Sequence, residues 1–197
     1  MIGLIAPLLI ATATALVLGG SLDAWGQQRV RWWPLILLAL GIQLPLYSPP
    51  FDAWPPVVAA GPLLGFVTIA LVVVVLVRNA TGPVRAACLL AALGVTLNLA
   101  VILANGGWMP RAEELVSLLG SGGIQGAGQP DLVATNTAPM GSATRLAWLS
   151  DWIAQPSWLP MANLVSIGDL LLSAGAAWWA FVVTLGRRRD VAEPTGS

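Results

Sequence analysis

Five long apolar runs, almost empty of charge, constrain this chain more than any other feature. Whatever it folds into must keep them out of water. They cover residues 2–20, 32–47, 57–77, 84–104 and 164–185, and the third contains the stretch VTIALVVVVLV. Crossing a ~30 Å hydrocarbon core takes about 20 such residues in a helix. The second run is the shortest and is bracketed by Pro34 and Pro45. Only 9% of the 197 residues are charged, against about 25% in an ordinary soluble domain, which leaves too few charges to clothe a water-soluble surface. The expectation is an all-α integral membrane protein with five transmembrane helices. One multi-pass membrane domain would occupy residues 1–186, and residues 187–197 would form a polar, disordered tail behind a basic cluster. No Lys or Arg precedes Arg29, and the small residues of ATATA fall in mid-run. The first run therefore reads as a retained helix and not as a cleaved signal peptide.

The arginines orient this arrangement. Lysine is absent, and seven of the nine arginines fall in alternate gaps: Arg29 and Arg31, Arg78 and Arg85, and Arg187 to Arg189. The other side would hold Arg111 and Arg145 together with Asp52, Glu113, Glu114, Asp131 and Asp151. Basic loops stay cytoplasmic, so the N-terminus is expected outside and the C-terminus inside a cytoplasmic (cell) membrane. The basic cluster at 187–189 reads as a stop signal and anionic-lipid anchor. The stretch SPPFDAWPP reads as a proline-stiffened external turn, and RNATGP as a tight cytoplasmic one.

Residues 105–163 form the one large external loop. A short surface helix is expected from Pro110, with Glu113 and Glu114 in its first turn and Gly120 ending it. SGGIQGAGQPDL follows as a flexible linker. A second short helix is expected through ATRLAWLSDWI, capped by Ser142, with Trp148 and Trp152 on one face. Trp108, Trp148, Trp152 and Trp158 all fall in this loop. They read as interfacial anchors, with an aromatic-lined ligand pocket as the alternative.

Polar residues at the run ends carry the functional question. Asn98 and Asn105 are seven apart and share a helix face. An unsatisfied amide in hydrocarbon costs several kcal/mol, so Asn98, and likewise Gln43 in the second run, are expected to be intramembrane polar residues facing protein. Asn105 with Gly106 and Gly107 reads as a helix C-cap. Ser166-x-x-Asp169 reads as a capping box. Asp169 is also the only acid followed directly by a membrane run, which makes it a site candidate. Asn105, Arg145, Asp151, Asn163, Ser166 and Asp169 together make a candidate polar site at the outer mouth.

Several of these elements form a pattern. Gly19-Gly20-x-Leu22, Arg31-Trp32, Gln43, NGGWMP, Thr144-Arg145-Leu146, Leu149-Ser-Asp151, Asn163 and SIGD stand in this order. Over residues 1 to about 185 the chain resembles a bacterial multi-pass membrane family of unknown function, the domain of unknown function 5317 family. That family often has Gly-Asp after the position of Leu149, where this chain has Ser150-Asp151. The resemblance implies a shared membrane fold and no particular activity.

Two function classes remain, the first favoured by the sequence and the second its alternative. One is a non-catalytic accessory, assembly or scaffold protein, working with the lipid bilayer and with a membrane protein partner or a second copy. Small residues at Ala11, Ala15 and Gly19 and at Gly61 and Gly65 would serve such packing. The other is binding, transport or processing of a small molecule or lipid at the outer polar site. Histidine is absent, and the single cysteine, Cys88, lies within an apolar run. The chain shows no metal-ligand cluster, phosphate loop or nucleophile–base pair, so neither a cofactor nor a metal is expected. Nothing points to nucleic acid.

Overall fold

The structure is a computed structural model that describes residues 2–47, 51, 54–119, 137–159 and 162–191. Its helices are α1 (Ile2–Val17), α2 (Asp23–Gln27), α3 (Pro34–Tyr47), α4 (Pro55–Asn79), α5 (Arg85–Ala104) and α6 (Ile167–Val191). Three stretches are long and apolar enough to cross a membrane: Pro55–Asn79, Gly82–Ala104 and Ile167–Gly186. α3 has 14 residues, which at ~1.5 Å per residue spans about 21 Å, less than the ~30 Å hydrocarbon core. α1, at 16 residues, is also short.

Local chemistry sets the boundaries. Pro55 and Pro56 open α4, where a missing N–H costs nothing, so the helix begins two residues earlier than the apolar run implied. α1 stops at Val17 because Gly19 turns to φ 87°. Gly19 N–H then donates to Leu16 and Gly20 N–H to Ala15, a Schellman cap. Gly106 and Gly107 end α5 in the same way, donating to Leu103 and Ile102. α6 runs on through Val191, so the backbone of the basic cluster is helical where a tail was expected from residue 187.

In space the helices neighbour one another in the order α1, α6, α5, α4, α3. The α5–α6 crossing depends on glycine. A Cβ on Gly94 would lie 2.4 Å from the Gly168 carbonyl oxygen, and one on Gly175 would lie 2.6 Å from the Ala91 nitrogen. Such close backbones give helices their contact where the hydrophobic effect is absent. α1 packs on α6 through the fully buried Ala15. Beyond the end of α1, Ser21 N–H donates to the Thr184 carbonyl at 2.9 Å, and Trp25 on α2 donates from Nε1 to Thr184 Oγ1 at 2.9 Å. The expected stripe Ala11–Ala15–Gly19 is thus used partly and inside the chain, since Gly19 lies beyond the helix end.

The connection between α5 and α6 is built differently from its expectation. Pro110 does not start a helix: it belongs to a strand, β1 (Met109–Arg111), paired in parallel with β2 (Thr137–Pro139). A 3-10 segment, Glu113–Leu119, follows. The second expected helix shrinks to one 3-10 turn, Ala147–Leu149, entered by a left-handed Leu146. Ser142 caps nothing there, although Trp152 Nε1 does reach the Trp148 carbonyl. Strands β3 (Ile153–Ala154) and β4 (Leu164–Val165) pair antiparallel and lead into α6. Short isolated helices are marginal; here the backbone instead pairs strand to strand, burying Met109, Ala112, Leu119, Leu149 and Leu164. Gly120, the SGGIQGAGQPDL linker and residues 192–197 lie outside the described residues.

Substituting Gly94 with Ala should destabilise the detergent-solubilised protein by about 1–3 kcal/mol through overpacking. Gly41→Ala, where a Cβ meets nothing within 4 Å, should be neutral or stabilising by up to ~1 kcal/mol. Thermal unfolding of both variants checks this, and equal losses would contradict the described crossing.

Candidate functional site

Asn98 lies in the C-terminal half of α5, facing the first turn of α6. Its Nδ2 donates to Asp169 Oδ1 at 2.7 Å, and its Oδ1 accepts from Ser166 Oγ at 2.8 Å. Ser166 and Asp169 complete a reciprocal capping box: Ser166 N–H donates to Asp169 Oδ2 at 3.1 Å, and Asp169 N–H to Ser166 Oγ at 2.9 Å. This arrangement satisfies orphan donors of the α6 start and ties them to the neighbouring helix. It also requires Gly168, because a Cβ there would collide with Asn98 Oδ1.

The β pairs bring two further polar residues over this ring. Asp151 bridges to Arg111 beside β1: its N–H donates to the Pro110 carbonyl at 3.0 Å and its carbonyl accepts from Ala112 at 2.9 Å. Asn163 precedes β4, and its N–H donates to Gln155 Oε1 while its carbonyl accepts from Gln155 N–H.

Below them opens a cavity of about 420 Å³. Its polar lining is Gln43 from α3, Thr68 from α4, Asn98 from α5, Asp169 from α6, and Asp151 and Asn163 from the strand layer. The apolar wall comes mainly from α4, including Gly61, Pro62, Gly65 and Phe66. The Thr68 hydroxyl is occupied, donating to the Leu64 carbonyl at 2.8 Å.

The six-residue outer site read from the sequence is therefore divided. Asp151, Asn163 and Asp169 line the cavity, and Ser166 stands behind Asp169. Asn105 and Arg145 do not line it. The Asn105 side chain grips the backbone of Arg145, accepting from its N–H and donating to its carbonyl, both at 2.9 Å. The Arg145 residue is exposed. None of Trp108, Trp148, Trp152 and Trp158 lines the cavity, and Trp158 is 78% exposed. Sequence reasoning missed Thr68 and Phe66, which carry no local signal. It also missed Gly168, although its place inside the SIGD motif marked it.

Burial is the main influence on Asp151. Together with the nearby Asp169 carboxylate it pushes the Asp151 carboxyl up to about 7, against a smaller downward pull from Arg111. Arg111 itself is held by Glu113, with Nε 3.0 Å from Oε1. Asp151 Oδ1 is buried and has no hydrogen-bond partner among the described residues.

A family model described as "Family of unknown function (DUF5317)" matches residues 27–181. The matched span takes in the whole cavity lining. No curated protein and no solved structure matches the chain.

A carboxyl whose pKa is raised by folding contributes stability below its unfolded value, and that contribution is lost as pH rises through the folded value. Between pH 4 and pH 7, Asp151 should therefore make unfolding progressively easier, by roughly 2–4 kcal/mol across that window. Asp151→Asn should flatten this slope. Thermal unfolding in detergent at pH 5, 6, 7 and 8 measures it, and parallel curves for the two proteins would contradict the buried setting of Asp151.

Proposed function

We propose that this chain, which belongs to the family of unknown function DUF5317, is a five-span membrane protein that binds a small ligand. The ligand carries a cationic or proton-donating group and occupies the cavity between α3, α4, α5 and α6. One observation carries the reading: a buried carboxyl oxygen, Asp151 Oδ1, borders the cavity with no partner among the described residues. A buried acceptor in this state costs roughly 1–3 kcal/mol, and a ligand donor would recover it. Asp169, Gln43 and Asn163 supply further polar contacts, while the α4 wall accommodates an apolar body. Binding, and not covalent chemistry, fits this lining. Among the described residues the one cavity hydroxyl, on Thr68, is committed to a backbone carbonyl.

Support for five spans comes from what meets at each end of the helices. At one end Arg31 is bonded through its backbone to Asn79, the Arg78 guanidinium lies 5.0 Å from the Trp32 ring centre, and Ser21 meets Thr184. At the other end Gly107 abuts Pro62, and the β pairs cover Asn98 and Asp169. α3 runs from the first end to the second, and α1 ends at the first. The basic residues at the first end favour the cytoplasmic side there. The accessory or scaffold reading has less behind it: Ala15 and the α5–α6 glycines are consumed in internal packing, and Gly61 and Gly65 face the cavity.

Two measurements test these readings. In a Cys88→Ala background, Ser142→Cys should react with an impermeant thiol reagent on intact cells and Thr81→Cys should not; the reverse would invert the topology. For the ligand, native mass spectrometry of protein extracted in mild detergent should show a retained small molecule that Asp151→Asn loses. An empty wild-type chain carrying a stoichiometric protein partner would favour the scaffold role instead. Asp169→Asn is the poorer probe, because both carboxylate oxygens already accept structural hydrogen bonds.

A further inference from the structure

A second cavity, of about 290 Å³, opens at the arginine end of the helices. Its walls are apolar and come from five helices: Leu8 on α1, Ile36 on α3, Leu76 on α4, Ala91 on α5 and Ala176 on α6 all line it. Its rim is the segment Gln28–Arg31, with Asn79. Arg29, Arg31, Arg78 and Arg85 gather at this end, all exposed, and none forms a salt bridge among the described residues. Of the acids at this end, Asp23 already accepts a hydrogen bond from Ser21, and Asp190 falls in the last turn of α6.

The rim is also held in a costly conformation. Trp32, a bulky residue, adopts φ 65°, a left-handed backbone that side chains of its kind rarely take. The Asn79 amide fixes the residue before it, accepting from Arg31 N–H at 2.7 Å and donating to the Arg31 carbonyl at 2.9 Å. The Arg78 guanidinium stacks over the Trp32 ring. Local strain of this type persists only where surrounding contacts over-determine it, and it concentrates at binding sites. Here the result is an Arg31 backbone held at the rim of an apolar slot.

We propose that this slot holds an anionic membrane lipid, with Arg29 and Arg31 on its headgroup and a portion of its acyl chain between α1, α3, α4, α5 and α6. Three features converge on that occupant. Exposed guanidinium groups with no ion pair among the described residues fit a phosphate bidentately. An apolar slot directly beneath them has no use for a free inorganic anion. Basic pockets between membrane helices are suited to anionic headgroups. The site shares only Leu172 with the lining of the Asp151 cavity and stands whether or not that cavity binds a ligand.

The full chain in mild detergent is titrated with phosphatidylglycerol, phosphatidylcholine or inorganic phosphate, and binding is read by native mass spectrometry. Cys88 provides a second readout, because it is buried in the slot lining and is the only cysteine. Phosphatidylglycerol should slow its alkylation by N-ethylmaleimide several-fold. The double variant Arg29→Gln, Arg31→Gln should bind phosphatidylglycerol about thirtyfold more weakly, with an unchanged melting temperature in lipid-free detergent. Ala176→Leu, which keeps the arginines and narrows the slot, should lose the protection of Cys88. Equal binding of phosphatidylcholine, equal protection by inorganic phosphate, or an unaffected double variant would overturn the proposal.

Discussion

One side-chain amide organises the end of the helix bundle that carries the strand layer. Asn98 reaches from α5 into the first turn of α6 and occupies both Ser166 and Asp169, which are already bonded to each other's backbone. In a low-dielectric setting each of these bonds strengthens the next, and the loss of any one leaves half-buried groups unpaired. The ring fixes where α6 begins, and with it the end of β4 and the floor of the cavity. Close approach of the two helices is its geometric condition, met by Gly94 and Gly168. Removing the Asn98 amide would therefore disturb the loop layer as well as one interhelical contact.

The same physics explains which parts of the fold were legible in the sequence. Long apolar runs announced α4, α5 and α6 because nothing else tolerates twenty consecutive apolar residues. The Ser166–Asp169 box and the Asn105-Gly-Gly ending are local devices, complete within a few residues, and so could be read in place. The partner of Asn98 could not, because the sequence does not say which helices lie side by side. Strand pairing around Asp151 and Asn163 was hidden for a different reason. Segments of two or three residues have no period to detect, and the proline and acids after Gly107 imitate a helix start. Asn105 and Arg145 were recognised as polar residues at the mouth, but the amide serves the Arg145 backbone and leaves its guanidinium outside.

Asparagine performs one further task at both ends. Asn79 clamps the backbone of Arg31, and Asn105 clamps the backbone of Arg145, each through a donated and an accepted hydrogen bond. A side-chain amide has the same donor–acceptor pair as a peptide unit, so it can complete a strand-like contact where no strand exists. Both clamps tie a connecting segment to the end of a long helix: α4 in one case, α5 in the other. The short helix α3 is thereby tethered at its start to the end of α4.

The pairing of β1 with β2 has a consequence for how this family can change. Met109–Arg111 lies in register with Thr137–Pro139, and the chain stays with the strand layer through Leu119, Ala112 bonding the Asp151 carbonyl and Leu119 buried beside Leu164, so the fixed positions end at Leu119 and resume at Thr137. Whatever lies between is a closed excursion whose length does not alter the position of Asp151. Loop-closure entropy grows only logarithmically, about 0.6 kcal/mol per doubling of length. Evolution can therefore lengthen, shorten or replace that segment at little cost while the cavity stays as it is. An epitope, a fluorescent protein or an additional domain inserted there would leave the rest of the molecule in register.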